Sequence, residues 1–375
     1  MIINSFLGIR NTNPIRSIPD NALTAALDID INNVGTLIQR NGFVLSKSIS
    51  NVTSAYTTLD NVSYIVQNGL LNRVDDDLNL IPLAACTATS FCDSGKVLFT
   101  NDGLKIQDDK VIDLNIPASD FDAPELYAAP GNWMPGTYNA LYTYRNAAGM
   151  EGHTSPNSYL TITAGQCVVV DPPPAIANHT AIIYLTEANG TVYYNLDGEI
   201  LNPFQTINNS YPLDATVIAW YASSLYAATP QANGTTLLAW SLPFLPHLYD
   251  TMTNYIVVPG EIRAMMDTSD FLIIATDAFI YSWDGAALNR LANYGVPAGR
   301  PLMRVPTKTA DNTSSATVKL FTYRGVCEAM PFVNLTETKA LFPAGQQTSV
   351  ALINQNGIQK FIALSDGSGV AYNVK

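Results

Sequence analysis

The sequence predicts an all-β chain: a β-propeller of five or six blades interrupted by an inserted immunoglobulin/fibronectin-like β-sandwich. Three observations carry that expectation. Helical periodicity is nearly absent, and short β-branched and aromatic runs alternate with Gly, Pro, Asn and Asp. Polar two-residue turns recur at intervals of about 30–50 residues, the period of a multi-stranded blade. Between the second and third of these units the pattern changes to short strands roughly 8–12 residues apart, as in a small sandwich.

Each element follows in order. Residues 21–27 read as a short helix capped by Asp20. Residues 35–45 read as a hairpin around Asn41-Gly42, whose strand is expected to join the last blade and close the ring, removing an open edge. The first two units turn at Asn68-Gly69 and Asp102-Gly103, 34 residues apart when counted glycine to glycine. A weaker unit spans 216–243. In the C-terminal half, turns are expected at Asp277-Ala278, Arg324-Gly325 and Asn356-Gly357, with spacings of 47 and 32 residues. Asn-Gly and Asp-Gly tolerate positive φ at both central turn positions, which a two-residue hairpin requires. The predicted organisation is therefore a first propeller part at 1–128, an inserted sandwich at 129–213, and a second propeller part at 214–375.

Composition narrows the function classes. Nineteen Lys and Arg stand against 31 Asp and Glu, a net charge of −12, and only 13% of residues are charged while 47% are apolar. That apolar content excludes intrinsic disorder. Scarce cations argue against a nucleic-acid binder that works by neutralising phosphates. No run approaches the ~20 apolar residues that a bilayer-spanning helix needs, and residues 1–10 lack the basic start and apolar core of a secretory signal. Cys86, Cys92, Cys167 and Cys327 have neither redox nor zinc spacing and read as packed free thiols of a protein made in a reducing cytoplasm. The eight Asn-x-Ser/Thr sequons reflect an Asn- and Thr-rich composition suited to turns.

No catalytic, cofactor or metal constellation is expected. His153, His179 and His247 share no ligand spacing and read as surface or loop residues. Asp75, Asp77 and Asn79 imitate the start of a calcium loop, but Leu80 stands where glycine is needed and Cys86 where a bidentate Glu is needed. A solvated turn is expected there. Trp220, Trp240 and Trp283 lie in strands and read as core fillers. Trp133 and Met134, between Pro130 and Pro135, lie in a turn-rich loop and are the expected exposed interaction residues. An abundance of Tyr and Asn at low charge density suits a protein–protein interface; exposed aromatics with Asn would also suit a sugar site, so a lectin-like propeller recognising a host-surface glycan is the alternative.

Residues 21–43, from the expected helix through Asp28-Ile-Asp30 to Arg40-Asn41-Gly42-Phe43, together with the insert from Gly136-Thr137-Tyr138 to Ser155-Pro156, resemble β-propeller virion proteins of bacteriophage tails. The resemblance implies a structural, non-enzymatic part of the nozzle or hub of a short tail. It implies about six copies ringed around a channel through which DNA passes without specific binding, and adaptor or fibre proteins docked outside. It places the protein in the virion tail. The acidic balance fits such a lumen, because a basic lining would hold phosphate. The chain is shorter than larger nozzle proteins, which leaves room for a tail-tip or fibre-adaptor role.

Overall fold

The computed structural model describes residues 29–31, 37–39, 47–117, 122–206, 212, 214–308, 314–336, 345–355, 358–365 and 368–373. The helix expected at 21–27 and the turns expected at 41–42 and 356–357 lie outside these residues. What is described is all-β, built of many small sheets that are antiparallel at all but one pairing. Among the described residues, no helix is long and apolar enough to cross a membrane.

The chain forms two compact units. One comprises Val52–Thr229 and Leu237–Val257, the other Met1–Asn51, Pro230–Thr236 and Val258–Lys375. In the first unit, sheet one is the four-stranded meander Val52–Thr57, Ser63–Gln67, Leu70–Val74 and Leu80–Ala85. Sheet two is Phe91–Asp93, Val97–Thr100, Leu104–Gln107 and Lys110–Asp113. Asn68 and Gly69 take φ of 50° and 75°, the paired positive values their hairpin requires. Sheet three runs Val217–Tyr221, Ser224–Pro230, Thr235–Leu242 and Leu245–Tyr249, and Tyr255–Pro259 adds a second partner for Thr235–Leu242.

Between sheets two and three in sequence, two further small sheets form a module within the same unit. Leu126–Pro130 pairs with Gln166–Val170, and Ser158–Ile162, Gly136–Asn146, His179–Thr186 and Tyr193–Tyr194 form a second sheet in that order. Alternate residues of the two sheets meet in a shared core of Tyr138, Ile162 and Val168, with Leu126, Leu160, Val170 and Leu185 packed against it.

The second unit carries sheet four, Ile262–Asp267, Leu272–Thr276, Ile280–Trp283 and Leu288–Ala292. Sheet five is Leu302–Lys308, Ser314–Thr322, Gly325–Glu328 and Val333–Asn334. Every residue of Leu272–Thr276 and Ile280–Trp283 is buried, which is why these stretches read as unbroken apolar runs. Ile273, Ile280, Val318 and Leu320 join one core across the two sheets; each fully buried side chain of this size contributes roughly 1.5–3 kcal/mol.

One expectation needs correction. The hairpin of sheet five turns at Tyr323-Arg324, one residue earlier than expected, and Gly325 opens the next strand at φ 109°. The last meander, Gln347–Gln355, Ile358–Ser365 and Ser368–Asn373, takes a fourth strand from Ala298–Arg300, paired in parallel with Gln347–Gln355. Strand Leu37–Gln39 pairs with Ile29–Ile31, and residues 40–45 of the hairpin expected to close the ring lie outside the described residues. Ala298–Arg300 reaches the sheet through Gly299: its φ is 99°, and a Cβ there would sit 2.5 Å from the Thr348 carbonyl oxygen, so only glycine fits.

Candidate functional site

The spine of this module is the eleven-residue strand Gly136–Asn146. Tyr138, Ala140, Tyr142 and Tyr144 on one face are buried to below one-tenth exposure, and Leu141 and Thr143 on the other face are buried too, so the middle of the strand is enclosed on both sides. Its two ends do different things.

The C-terminal end is a base. Residues 146–155 turn back along the strand: the Gly152 amide donates to the Tyr144 carbonyl (2.9 Å) and the Ser155 amide to the Tyr142 carbonyl (2.8 Å). Met150, at the bend, packs on the core that holds Phe99, Leu114, Ile218 and Tyr249 from sheets two and three and the segments beside them. Asn146 Nδ2 donates to the Asp113 carbonyl at 2.9 Å. His247 Nε2 donates to the Glu151 carbonyl at 3.2 Å.

The Glu151 carboxylate anchors this base from within. Oε1 accepts from Tyr184 Oη at 2.8 Å and from Thr143 Oγ1, and Oε2 accepts from Arg145 at 3.0 Å. Arg145 also reaches Glu199 at 3.2 Å, and Asn195 Nδ2 donates to the same Glu199 oxygen at 2.7 Å. Burial first, and then Glu151, push the Tyr184 phenol well above its usual range. The hydrogen bond to Glu151 raises Arg145, which keeps its charge. Both Glu151 oxygens face donors, so the cluster works as a structural joint.

His153 and His247, expected at the surface, are buried at 5% and 7% exposure. The reason for His247 is the joint itself: its ring is enclosed so that Nε2 can reach a carbonyl of the module. Burial lowers its pKa to about 4, so it is neutral at pH 7, with Nδ1 buried and unpartnered. His179 is half-buried at the start of a strand and its Nδ1 donates to the Ala177 carbonyl at 2.9 Å.

The N-terminal end of the spine is a tip, about 34 Å from the base by the rise of an extended strand. Three loops converge there, at 131–135, 163–165 and 187–191. The Gly131 amide donates to the Gly165 carbonyl (2.9 Å), the Trp133 amide to the Gln166 carbonyl (3.1 Å), and the Asn189 amide to the Thr137 carbonyl (2.7 Å). Asn189 Oδ1 accepts from the Thr137 amide at 3.0 Å. The buried Tyr138 ring lies 5.3 Å from the Trp133 ring and its hydroxyl donates to the Met134 carbonyl at 2.9 Å. Trp133 and Met134 are thus held from beneath while 41% and 72% exposed. Across these loops Glu187 is the one charged residue.

The tip offers a flat ring, a pliable thioether and the amides of Asn132 and Asn189, with little charge. Such a surface suits an uncharged protein face, where pre-ordered aromatic and Met anchors cost little entropy on binding. The supporting positions Tyr138, Gln166 and Asn189 carry no sequence signal, because their loops meet only after the module folds.

The other residues singled out from sequence stay apart from this site. Asp75 accepts from the Asn79 amide (2.6 Å) and Nδ2 (3.1 Å), so its carboxylate ties its own turn. Trp220 stacks on Phe99 at 5.1 Å, Trp240 stacks on Tyr226 at 5.5 Å, and Trp283 is buried. Cys86, Cys92 and Cys327 are buried free thiols, and Cys167 is half-buried beside the Pro130 carbonyl.

No family model matches the sequence, and no curated protein matches it. Among solved structures, the chain is similar to the extracellular domain of a putative one-component system of B. thetaiotaomicron, with 11% identity and a TM-score of 0.24, over 96% of this chain and 61% of that one. It is also similar to Sqt1 of Saccharomyces cerevisiae, with 13% identity and a TM-score of 0.30, over 78% and 74% of the two chains. The WD40 domain of SCAP from fission yeast aligns at 8% identity and a TM-score of 0.28, over 85% and 63%.

Proposed function

We propose that the chain is a non-enzymatic structural protein of a bacteriophage tail: a six-bladed β-propeller whose inserted fibronectin-like sandwich docks a neighbouring tail protein. The reading takes the six meanders as blades and the module after the second as the docking arm. Copies of the chain surround a channel through which DNA passes, six by the resemblance of the sequence to tail propellers. One observation carries the docking role. A rigid strand about 34 Å long separates the anchored base from Trp133 and Met134, so the exposed pair is presented on a fixed spacer.

The test uses particles assembled with the Trp133→Ala/Met134→Ser chain, with electron microscopy and native mass of the purified protein in parallel. Rings of about six copies, and variant particles that lack one tail component, are the expected result. Variant particles of unchanged composition overturn the docking role.

A second reading is favoured by the exposed Trp133 ring with Asn132 beside it in sequence and Asn189 on a converging loop, a stacking face and hydrogen-bonding groups that suit a sugar. In that reading the tip recognises a host-surface glycan. Sub-millimolar glycan binding that disappears in Trp133→Ala selects it over docking.

A further inference from the structure

Charge is divided between the two units. Residues 52–257 hold 19 carboxylates and five cations, whereas residues 258–375 hold nine carboxylates and ten cations. The division falls at the boundary where the long C-terminal segment of the second unit begins, at Val258. Each side also concentrates its charge.

In the first unit, strand alternation puts the turn at Asp60 and the turn at Asp75-Asp76-Asp77 on one end of sheet one. It likewise puts Asp108-Asp109 on one end of sheet two. Arg73 of sheet one meets Asp109 at 3.0 Å, so these are the same end of neighbouring sheets. Asp60, Asp76, Asp77 and Asp108 are exposed there. In the second unit, Arg263 Nη1 donates to Tyr323 Oη (2.8 Å) and to the Val296 carbonyl (3.2 Å), while its Nε is buried and unpartnered. The Arg324 guanidinium lies 5.1 Å from the Tyr294 ring centroid, and Tyr323 is 42% exposed. Two guanidiniums and two phenols share this turn, a residue set typical of interface anchors.

We propose that this Arg263–Tyr323–Arg324–Tyr294 cluster is the cationic half of a contact between copies of the chain, and that it receives the aspartate-rich end of sheets one and two of a neighbouring copy. The two surfaces differ, so the contact is heterologous, the kind that closes rings or extends stacks. The occupant follows from charge complementarity: a surface dense in carboxylates and a cluster of aromatic-backed guanidiniums belong to the same chain. The proposal rests on the reading that copies assemble, and it names the surfaces through which they meet.

The experiment is sedimentation velocity of the purified full chain at about 50 mM and about 500 mM salt, where screening lengths differ severalfold. It is repeated with Arg324→Glu, with Asp76→Lys/Asp77→Lys, and with all three changes in one chain. Thermal unfolding of each variant checks that it folds. Expected are association that weakens with salt, a loss of about tenfold or more in each charge-reversed chain, and recovery when the changes are combined. Association that ignores salt and both variants overturns the proposal while the tail reading stands, since copies then meet elsewhere. A chain that stays monomeric at about 50 mM salt, and forms no rings by microscopy, overturns both.

Discussion

The ring of His247 reaches the Glu151 main-chain oxygen at 3.2 Å across 96 residues of sequence. This bond fastens the module to the strand Leu245–Tyr249 of sheet three, and it explains why a histidine of a loop-like sequence is buried. The module is therefore no loosely tethered arm. Its bend at Met150 packs on the core that holds residues of sheets two and three.

The joint predicts a specific cost. Glu151→Ala leaves the Tyr184 hydroxyl and the Arg145 guanidinium without their shared acceptor. Removing one member of such an enclosed ion pair destabilises by about 3–5 kcal/mol. Urea unfolding followed by tyrosine fluorescence measures it, and a change under about 1 kcal/mol would show that the carboxylate is dispensable.

Acid weakens the same joint through His247. The folded-state pKa is lowered to about 4 from the ordinary 6.5, so between these values the unfolded chain binds the extra proton. Stability from this group is complete above pH 6.5, falls as the pH drops towards 4, and levels off below, a change of about 3 kcal/mol. Denaturant midpoints across pH 4 to 7 should show this slope, and His247→Gln should flatten it.

Excision of residues 131–206 removes Met150, Glu151 and Gly152 and uncovers Phe99, Leu114 and Tyr249. Hydrogen exchange is expected to speed up in Val97–Thr100 and Val217–Tyr221 of the shortened chain. Unchanged protection there would return the module to the status of an independent arm.

Gly299→Ala places a methyl group 2.5 Å from the Thr348 oxygen at a φ of 99°. The parallel strand must then shift or detach, at a cost of roughly 1–3 kcal/mol. Faster amide exchange in Gln347–Gln355 is the readout.

The thiols should react in order of exposure. Burial pushes Cys86 up to about 12 and Cys92 well above its ordinary value, which keeps both as unreactive thiols. Iodoacetamide at pH 8 is expected to label Cys167 first, with Cys86, Cys92 and Cys327 labelled on unfolding. Peptide mass mapping over time distinguishes the four.

Local features were legible in the sequence because they depend on neighbours a few residues apart. Asn68-Gly69 reads as a hairpin turn since the backbone there needs positive φ at both positions, and the unbroken apolar run 272–275 reads as a strand buried on both faces. The change of pattern after the second unit is a local feature too, and a strand, Leu126–Pro130, lies where the pattern changes. The exposed position of Trp133 and Met134 was suggested by the prolines that flank them. Decided only by tertiary structure were the contacts between distant segments. Ala298–Arg300 completes the last sheet because a glycine lets one backbone approach another. His247 is buried because a carbonyl lies within reach of its ring. Glu151 is a joint because Thr143, Arg145 and Tyr184 converge on it. None of these has a period or a spacing to read, since each depends on where two separate pieces of chain come to rest.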